Sequence, residues 1–374
     1  RLLTAKDLDE PELKAPLEVA FCESCTLVQI LHTVSPEVLF CDDYPYFSSV
    51  SPALLAHFGA SADRLIEMLD LGPASLVIEA ASNDGYMLKR FVDRGIPVLG
   101  IDPADGPANA ANANGVPTLN TFFTRGLAEE LASKRKPADL FLGNNVLAHV
   151  ADLNGFVSGI AALLAPSGVA VIECPYLLDL LDHTEFDTIY HQHLCYFSVT
   201  ALDALFRRHG LSLNDVERTT IHGGSLRLFV GKDARPSARV EALIEEERAR
   251  GIGREGIYLD FAARVNALRG ELVRTLVRLR AEGKRIACYG AAAKGCTMLA
   301  CSSIDRSLVD YIVDLSPAKQ GKYMGGCHLP IVSPERLLED RPDYTLILAW
   351  NFADEIMAQQ REYAARGGRF ILPV

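Results

Sequence analysis

Short apolar runs alternate with helical periodicities along most of this chain. Leu76-Val77-Ile78-Glu79 reads as a buried strand, Tyr86 to Gly95 as a helix closed by glycine, and Val98-Leu99-Gly100-Ile101-Asp102 as a second strand ending on a carboxylate. Two further strands follow, at Leu140 to Asn145 and at Val169 to Glu173. Strands alternating with helices at this spacing predict a doubly wound, mostly parallel α/β sheet. A polar, irregular entry precedes it and leads into a helical stretch near Ala53 to Leu69. From about 236 to 282 the period changes. Tyr258, Phe261, Val265, Leu268, Leu272, Val273, Leu276 and Leu279 recur at three- and four-residue steps, which predicts one long amphipathic helix. A second α/β unit then opens at Arg285 to Gly295, with strands at Tyr311 to Asp314, Thr345 to Leu348 and Phe370 to Leu372. The expected division is an entry module over 1–70, an α/β domain over 71–235, a helical linker over 236–282 and a second α/β domain over 283–374.

Length supports that division, since 374 residues exceed what one simple core holds and suit two to three domains. The net charge of -11 excludes a nucleic-acid backbone as partner, with no basic stripe to offset it. Lys134-Arg135-Lys136 reads as a solvated helix end. No membrane span is expected, because Pro166-Ser167-Gly168 breaks the longest uncharged stretch, Phe156 to Ile172, into helix, turn and strand. Nine cysteines, most set singly in apolar strands (Cys174, Cys288, Cys301), predict reduced thiols and a cytoplasmic protein. The chain begins with Arg1 rather than methionine, which predicts a further N-terminal piece. One pair has ligand spacing, Cys22-Glu23-Ser24-Cys25.

Candidate chemistry gathers in the run Glu185-Phe186-Asp187-Thr188-Ile189-Tyr190-His191-Gln192-His193-Leu194-Cys195-Tyr196-Phe197-Ser198. Two histidines, two tyrosines and two carboxylates fall within fourteen residues. Histidine is suited to proton abstraction near neutral pH, and a tyrosine can donate to an oxygen gaining charge. His193 is the expected base, with His191 bonded to backbone. The turn Glu79-Ala80-Ala81-Ser82-Asn83-Asp84-Gly85 follows a strand and opens a helix. Its acid and its small residues at alternate positions (Ala81, Asn83, Gly85) form the pattern of an S-adenosylmethionine site rather than a dinucleotide fingerprint. Asp102 is placed either to accept from two ribose hydroxyls or simply to form the turn Ile101-Asp102-Pro103. Asn145 and His149 line the crevice or cap helices locally. His222-Gly223-Gly224-Ser225-Leu226-Arg227 allows close backbone approach to a ligand or makes a β-bulge. Gly290 to Gly295 with Lys294 could hold phosphate at a helix start. Asn351, Asp314 and Lys319 supply polar groups at following strand ends, and Lys294, Arg227 and Lys319 are the basic groups available to an anionic substrate.

In order along the chain, Cys22-x-x-Cys25 with Leu27-Val28-Gln29, Tyr44-Pro45-Tyr46-Phe47-Ser48-Ser49, Ser82-Asn83-Asp84-Gly85, Asn144 to His149, Phe186 to His193, His222 to Ser225 and Tyr289-Gly290-Ala291-x-x-Lys294 resemble the S-adenosylmethionine-dependent sugar C-methyltransferases. These methylate nucleotide-linked 4-keto-deoxysugars, typically at C3, in deoxysugar and antibiotic biosynthesis. The resemblance implies a Rossmann-like class I methyltransferase domain, a small N-terminal zinc-type module and a second, C-terminal Rossmann-like α/β domain. It places the catalytic histidine on His193 and the family's tyrosines on Tyr190 and Tyr44. It assigns the donor to Glu79, Ala81, Asn83, Gly85, Asp102 and Asn145, and the acceptor to Gln192, His222, Lys294 and Asn351. Gln192 departs from the family's glutamate, so a role needing negative charge there is in question. Cys22 and Cys25 are two of the four ligands of a structural zinc, which needs further ligands upstream. The alternatives are an O- or N-methyltransferase of another small metabolite, or a non-catalytic donor-binding protein.

Overall fold

The computed structural model describes residues 2–40 and 47–373, without the side chains of Ala53 and His222. It resolves into two compact units. One is made of Leu17–Leu178 and His191–Arg254; the other of Arg1–Pro16, Asp179–Tyr190 and Glu255–Val374.

The first unit is built on a seven-stranded sheet. Its strands are β1 (Val77–Ala80), β2 (Val98–Asp102), β3 (Thr118–Asn120), β4 (Ala138–Asn144), β5 (Leu164–Pro175), β6 (Ser212–Thr219) and β7 (Ser225–Gly231), in the order β6-β7-β5-β4-β1-β2-β3. β7 runs antiparallel to both β5 and β6, while β1 to β5 are parallel. β1 and β2 are buried throughout, as strands covered on both faces must be. Strand order reverses between β1 and β4, so the ligand crevice of such a sheet falls at their carboxyl ends. Helix α1 (Pro52–Met68) starts at proline after Ser51, whose Oγ accepts from Leu54 N–H, and α2 is Leu88–Asp93. Phe58, Leu65, Met87 and Phe91 carry these helices onto Val77, Leu140, Leu142 and Val171, forming one core. Val19–Phe21, Val28–Ile30 and Cys195–Tyr196 form a separate small sheet.

The stretch 236–282, expected as one helix, is two. Helix α4 (Ala238–Arg250), following α3 (Val199–Arg208), stops at Gly251, whose left-handed backbone (φ +82°) suits glycine. Helix α5 (Glu255–Ala281) then starts in the second unit. There, five parallel strands, β8 (Ile286–Tyr289), β9 (Ile312–Val313), β10 (Ile331–Val332), β11 (Tyr344–Ile347) and β12 (Arg369–Ile371), lie in the order β10-β9-β8-β11-β12. Helix α6 (Ala293–Cys301) follows β8. The first residues of the chain join this unit, with Leu2 and Leu3 pairing Met324 and Tyr323. Among the described residues, no helix is long and apolar enough to cross a membrane.

Candidate functional site

The turn after β1 has the backbone that its small residues allow. Ala81, Asn83 and Gly85 have φ of +55°, +50° and +77°, so every second residue is left-handed and the intervening amides can turn toward one side. A Cβ on Gly85 would stand 3.0 Å from Val116, which leaves no room for a side chain. Asp102 ends β2 and ties this turn down. Its Oδ2 accepts from Asn83 N–H at 2.8 Å and its Oδ1 from Ala104 N–H at 2.9 Å. Burial pushes its carboxyl up, and the two amides oppose that. The turn role expected of Asp102 is thus visible in these two bonds.

Glu79 points into the same place from β1. It is fully buried, and burial raises its carboxyl to about 8, assisted by the charge of Asp102 and opposed by Asn144, whose Nδ2 donates to Oε1 at 3.0 Å. Three buried oxygens around this turn lack a partner: Glu79 Oε2, Ser82 Oγ and Asp84 Oδ1. Buried polar atoms are ordinarily paired, so a cluster of orphans at the switch point fits a polar ligand such as S-adenosylmethionine. Asn145, the next residue after β4, is also left-handed (φ +52°), and its N–H donates to Glu173 O at 2.9 Å.

His193 lies in this same unit. Its ring meets the ring of His149 edge-on, with centroids 4.9 Å apart, and Tyr196 Oη donates to its backbone carbonyl at 2.9 Å. Loss of hydration pushes His149 down to about 4, so it is neutral at pH 7, with Nδ1 2.6 Å from the backbone oxygen of Gln192. The Gln192 side chain reaches Leu39 O at 3.5 Å. Tyr44 lies outside the described residues, and so does the His222 side chain. Its neighbours Gly223 and Gly224 (φ +94° and +133°) end a single 3-10 turn before β7.

Tyr190 belongs to the second unit, together with Lys294 and Asn351. Those last two are brought together: Lys294 Nζ donates to Asn351 Oδ1 and sits 4.0 Å above the Trp350 ring. Burial lowers the lysine to about 8, against the nearby charges of Asp187 and Glu185. Trp350 Nε1 donates to Asp187 Oδ2 at 2.8 Å, and burial raises Asp187 to about 6 and Glu185 to about 7. One amide of the expected phosphate cradle at this helix start is already bonded. Asp314 Oδ2 already accepts from Ala291 N–H at 2.8 Å and from Lys319 Nζ at 3.1 Å. Arg227 is not available to an anion either, because it is paired with buried Glu173. The Ala291–Asp314 and Arg227–Glu173 pairings join residues far apart along the chain, so neither is visible in local sequence.

Cys22 and Cys25 sit on a tight turn in which Thr26 N–H donates to Cys22 O at 2.8 Å. Backbone N–H groups of Cys25 and Ser24 and the Cys25 thiol bond the Cys22 sulfur and hold its pKa down, which suits a metal-binding thiolate. The pair fits half of a zinc site. Among the described residues no group of three or more His, Cys, Asp or Glu is arranged to hold a metal ion.

Comparison with known proteins accounts for the chain from end to end. Residues 1–40 match a family described as "putative zinc binding domain", residues 54–216 a methyltransferase domain, and residues 220–374 a C-methyltransferase C-terminal domain. The C-methyltransferase NovU of Streptomyces niveus is 39% identical over 381 residues, covering 100% of this chain and 89% of that protein. A ubiquinone biosynthesis O-methyltransferase of Azorhizobium caulinodans is 25% identical over 143 residues, 38% of this chain and 52% of its own length. Among solved structures, magnesium protoporphyrin IX methyltransferase of Synechocystis PCC 6803 with bound SAH aligns at a TM-score of 0.37 and 15% identity, over 48% of this chain and 84% of that one. The PH0226 protein of Pyrococcus horikoshii aligns at 0.40 and 15%, over 54% and 97%. The chain belongs to the C-methyltransferase family and is an S-adenosylmethionine-dependent methyltransferase.

Proposed function

We propose that the acceptor is the carbon next to a ketone, C3 of a nucleotide-linked 4-keto-deoxysugar. The full-length similarity to a C-methyltransferase carries this reading, because it makes carbon rather than oxygen or nitrogen the atom that receives the methyl group. A carbon nucleophile needs a C–H bond acidified by a neighbouring carbonyl and a base to take the proton. His193 is that base. It takes the C3 proton on a ring nitrogen while the C–H electron pair moves into the C3–C4 bond and the carbonyl pair moves onto oxygen. His149 beside it is neutral at pH 7, so its ring adds no charge there. Tyr190 or Tyr44 donates a hydrogen bond to the enolate oxygen, worth about 2.7–4 kcal/mol by the scale of oxyanion donors. When bound, S-adenosylmethionine supplies an electrophilic methyl carbon that the enolate C3 displaces from sulfur. Ala81, Asn83, Gly85, Glu79, Asp102 and Asn145 shape the donor crevice, and positioning there sets much of the rate. Gln192, His222, Lys294 and Asn351 bind the acceptor. Gln192 carries no charge, so its contribution is a hydrogen bond.

The test is a mass-spectrometric assay with S-adenosylmethionine and a panel of nucleotide-linked keto sugars deuterated at C3. Methylation with loss of the C3 deuterium is expected. Methylation that retains it places the methyl group at an atom other than C3 and refutes the reading. His193→Ala should cost about 10²–10⁴-fold in turnover with S-adenosylhomocysteine binding unchanged, and full activity would remove His193 as the base.

A further inference from the structure

A charged row in the first unit takes no part in the steps above. Glu217, Arg227, Glu173 and Asn144 stand in register across β6, β7, β5 and β4. Helix α1 meets this row twice. Arg64 makes a bidentate pair with Glu217 at 2.6 and 2.7 Å, and His57 Nε2 lies 2.9 Å from Glu173 Oε2. The two contacts differ in setting. Arg64 is half exposed, whereas Glu173 is fully buried and its Oε1 is taken by Arg227 Nε at 2.6 Å. His57 Nε2 also lies 3.2 Å from Oε1 and 3.2 Å from Arg227 Nη2. Because an ionised carboxylate only accepts, the tautomer protonated on Nε2 donates to Glu173, chiefly to its remaining oxygen.

The segment leading into α1 touches the donor turn. In the lead-in to the helix, Ser48 N–H donates to Asn83 Oδ1 at 2.8 Å and Ser49 N–H to Asp84 Oδ2 at 3.3 Å. One oxygen of Asp84 thus accepts from the helix lead-in, while the other, Oδ1, is buried in the turn without a partner. The segment 48–57 therefore joins the contact with Glu173 to the turn at Asn83 and Asp84 through hydrogen bonds at both ends.

We propose that His57 is a positioning residue for the methyl donor. Its bond to Glu173 fixes α1, and α1 fixes the Asn83–Asp84 turn through Ser48 and Ser49. The inference rests on the donor-binding reading of this turn and not on the identity of the acceptor. Replacement by leucine leaves Glu173 Oε2 without a donor and frees the helix to shift. Glutamine can present its amide N–H at the same place and restore the contact.

The experiment measures S-adenosylhomocysteine binding by calorimetry, kcat and KM for S-adenosylmethionine, and amide exchange across residues 47–60. His57→Leu is expected to bind S-adenosylhomocysteine about tenfold more weakly. KM should rise by a similar factor, with kcat within about twofold, and the ligand-induced protection of Ser48 and Ser49 should be lost. His57→Gln should recover affinity to within about threefold, and Arg64→Ala should stay within about twofold, as an exposed pair contributes little. Parent-like binding by a folded His57→Leu variant overturns the proposal, as does a His57→Gln variant no better than leucine. Should His57→Leu not fold, Ser49→Pro removes the N–H to Asp84 while sparing the ion pairs. It should show the same loss, and unchanged affinity overturns the proposal. Failure of every keto sugar as acceptor would remove the kinetic readout and leave the calorimetric and amide-exchange measurements, which alone decide the proposal, unaffected.

Discussion

Glu79 offers the sharpest test of the donor crevice, because burial makes it a proton carrier in the folded chain alone. Its carboxyl ionises at 4.5 in an open chain and at about 8 when folded. Between those values the folded state holds a proton that the unfolded state has lost, so stability must fall as pH rises from about 4.5 to 8. At about 1.36 kcal/mol per tenfold change in proton affinity, the rise from 4.5 to about 8 corresponds to about 5 kcal/mol. Glu79→Gln removes the titration with little change of shape. The amide keeps an oxygen for Asn144 Nδ2, and its own N–H₂ occupies the position of the orphan Oε2. Urea unfolding of parent and variant, followed by circular dichroism from pH 5 to 8.5, cancels every other carboxyl in the difference. The variant should gain on the parent by about 4 kcal/mol between pH 5 and 8.5, the rest of the titration lying outside that range. A cationic donor favours the ionised carboxylate, so binding of S-adenosylmethionine near pH 7 should also release a proton from the parent and none from the variant. Two stability curves that run parallel from pH 5 to 8.5 would refute the reasoning.

Other perturbations probe the frame around the crevice. Glu247 is a fully buried carboxylate on α4 that accepts from Val199 N–H (2.6 Å), Thr200 N–H (2.8 Å), Thr200 Oγ1 (2.5 Å) and Tyr176 Oη (3.0 Å). Glu247→Ala strands these donors at the start of α3 and should cost about 3 kcal/mol or more in chemical denaturation; a loss under about 1 kcal/mol contradicts the bond pattern. Gly100→Ala would set a Cβ 2.5 Å from Ser82 Oγ and 2.6 Å from Thr118 Oγ1. About 1–3 kcal/mol of strain should follow, together with weaker S-adenosylhomocysteine binding, since Ser82 heads the donor turn. Trp350→Phe removes the N–H that opposes the burial of Asp187, so the carboxyl, already raised to about 6, should rise further. An acid raised in the folded state loses stability with rising pH, so the variant's deficit should be larger at pH 7.5 than at pH 5 in thermal melts.

The crevice was legible because its signals are local. A buried strand, a glycine-bearing turn and a helix follow one another within a few residues, and Asp102 closes the next strand as a carboxylate. What Asp102 holds was not legible, since its bond to Asn83 depends on β1 and β2 lying side by side. The pairing of Glu173 with Arg227 needs the antiparallel register of β5 and β7, and His57 reads along the chain as one more polar position on an amphipathic helix. The break at Gly251 did leave a local mark. Gly251 and Gly253 flank it, but the apolar periodicity that followed suggested continuity. Leu2 and Leu3 show nothing nearby that foretells strand pairing with Tyr323 and Met324.

The run from Glu185 to Ser198, dense in proton-moving groups, looked like a single site. Each half is secured by different contacts. Phe186 enters the apolar core of the second unit with Leu272, Leu276 and Met298, and Asp187 is bonded by Trp350. Past Tyr190 the chain returns to the first unit. Leu194 N–H donates to Ala148 O at 2.7 Å, Gln192 O receives His149, and Cys195 and Tyr196 pair with Gln29 and Val28. Tyr190 and His193 are three residues apart and belong to different folded bodies. Their roles are therefore separable by experiment in a way that sequence spacing hides. Substitutions that loosen the hold on Asp187 act on Tyr190 and leave the donor crevice intact. Those at His149 or Gln192 act on His193 and leave Lys294 and Asn351 in place. A Trp350→Phe variant should accordingly bind S-adenosylhomocysteine like the parent, and a change in that affinity would show that the two halves of the run are not held independently.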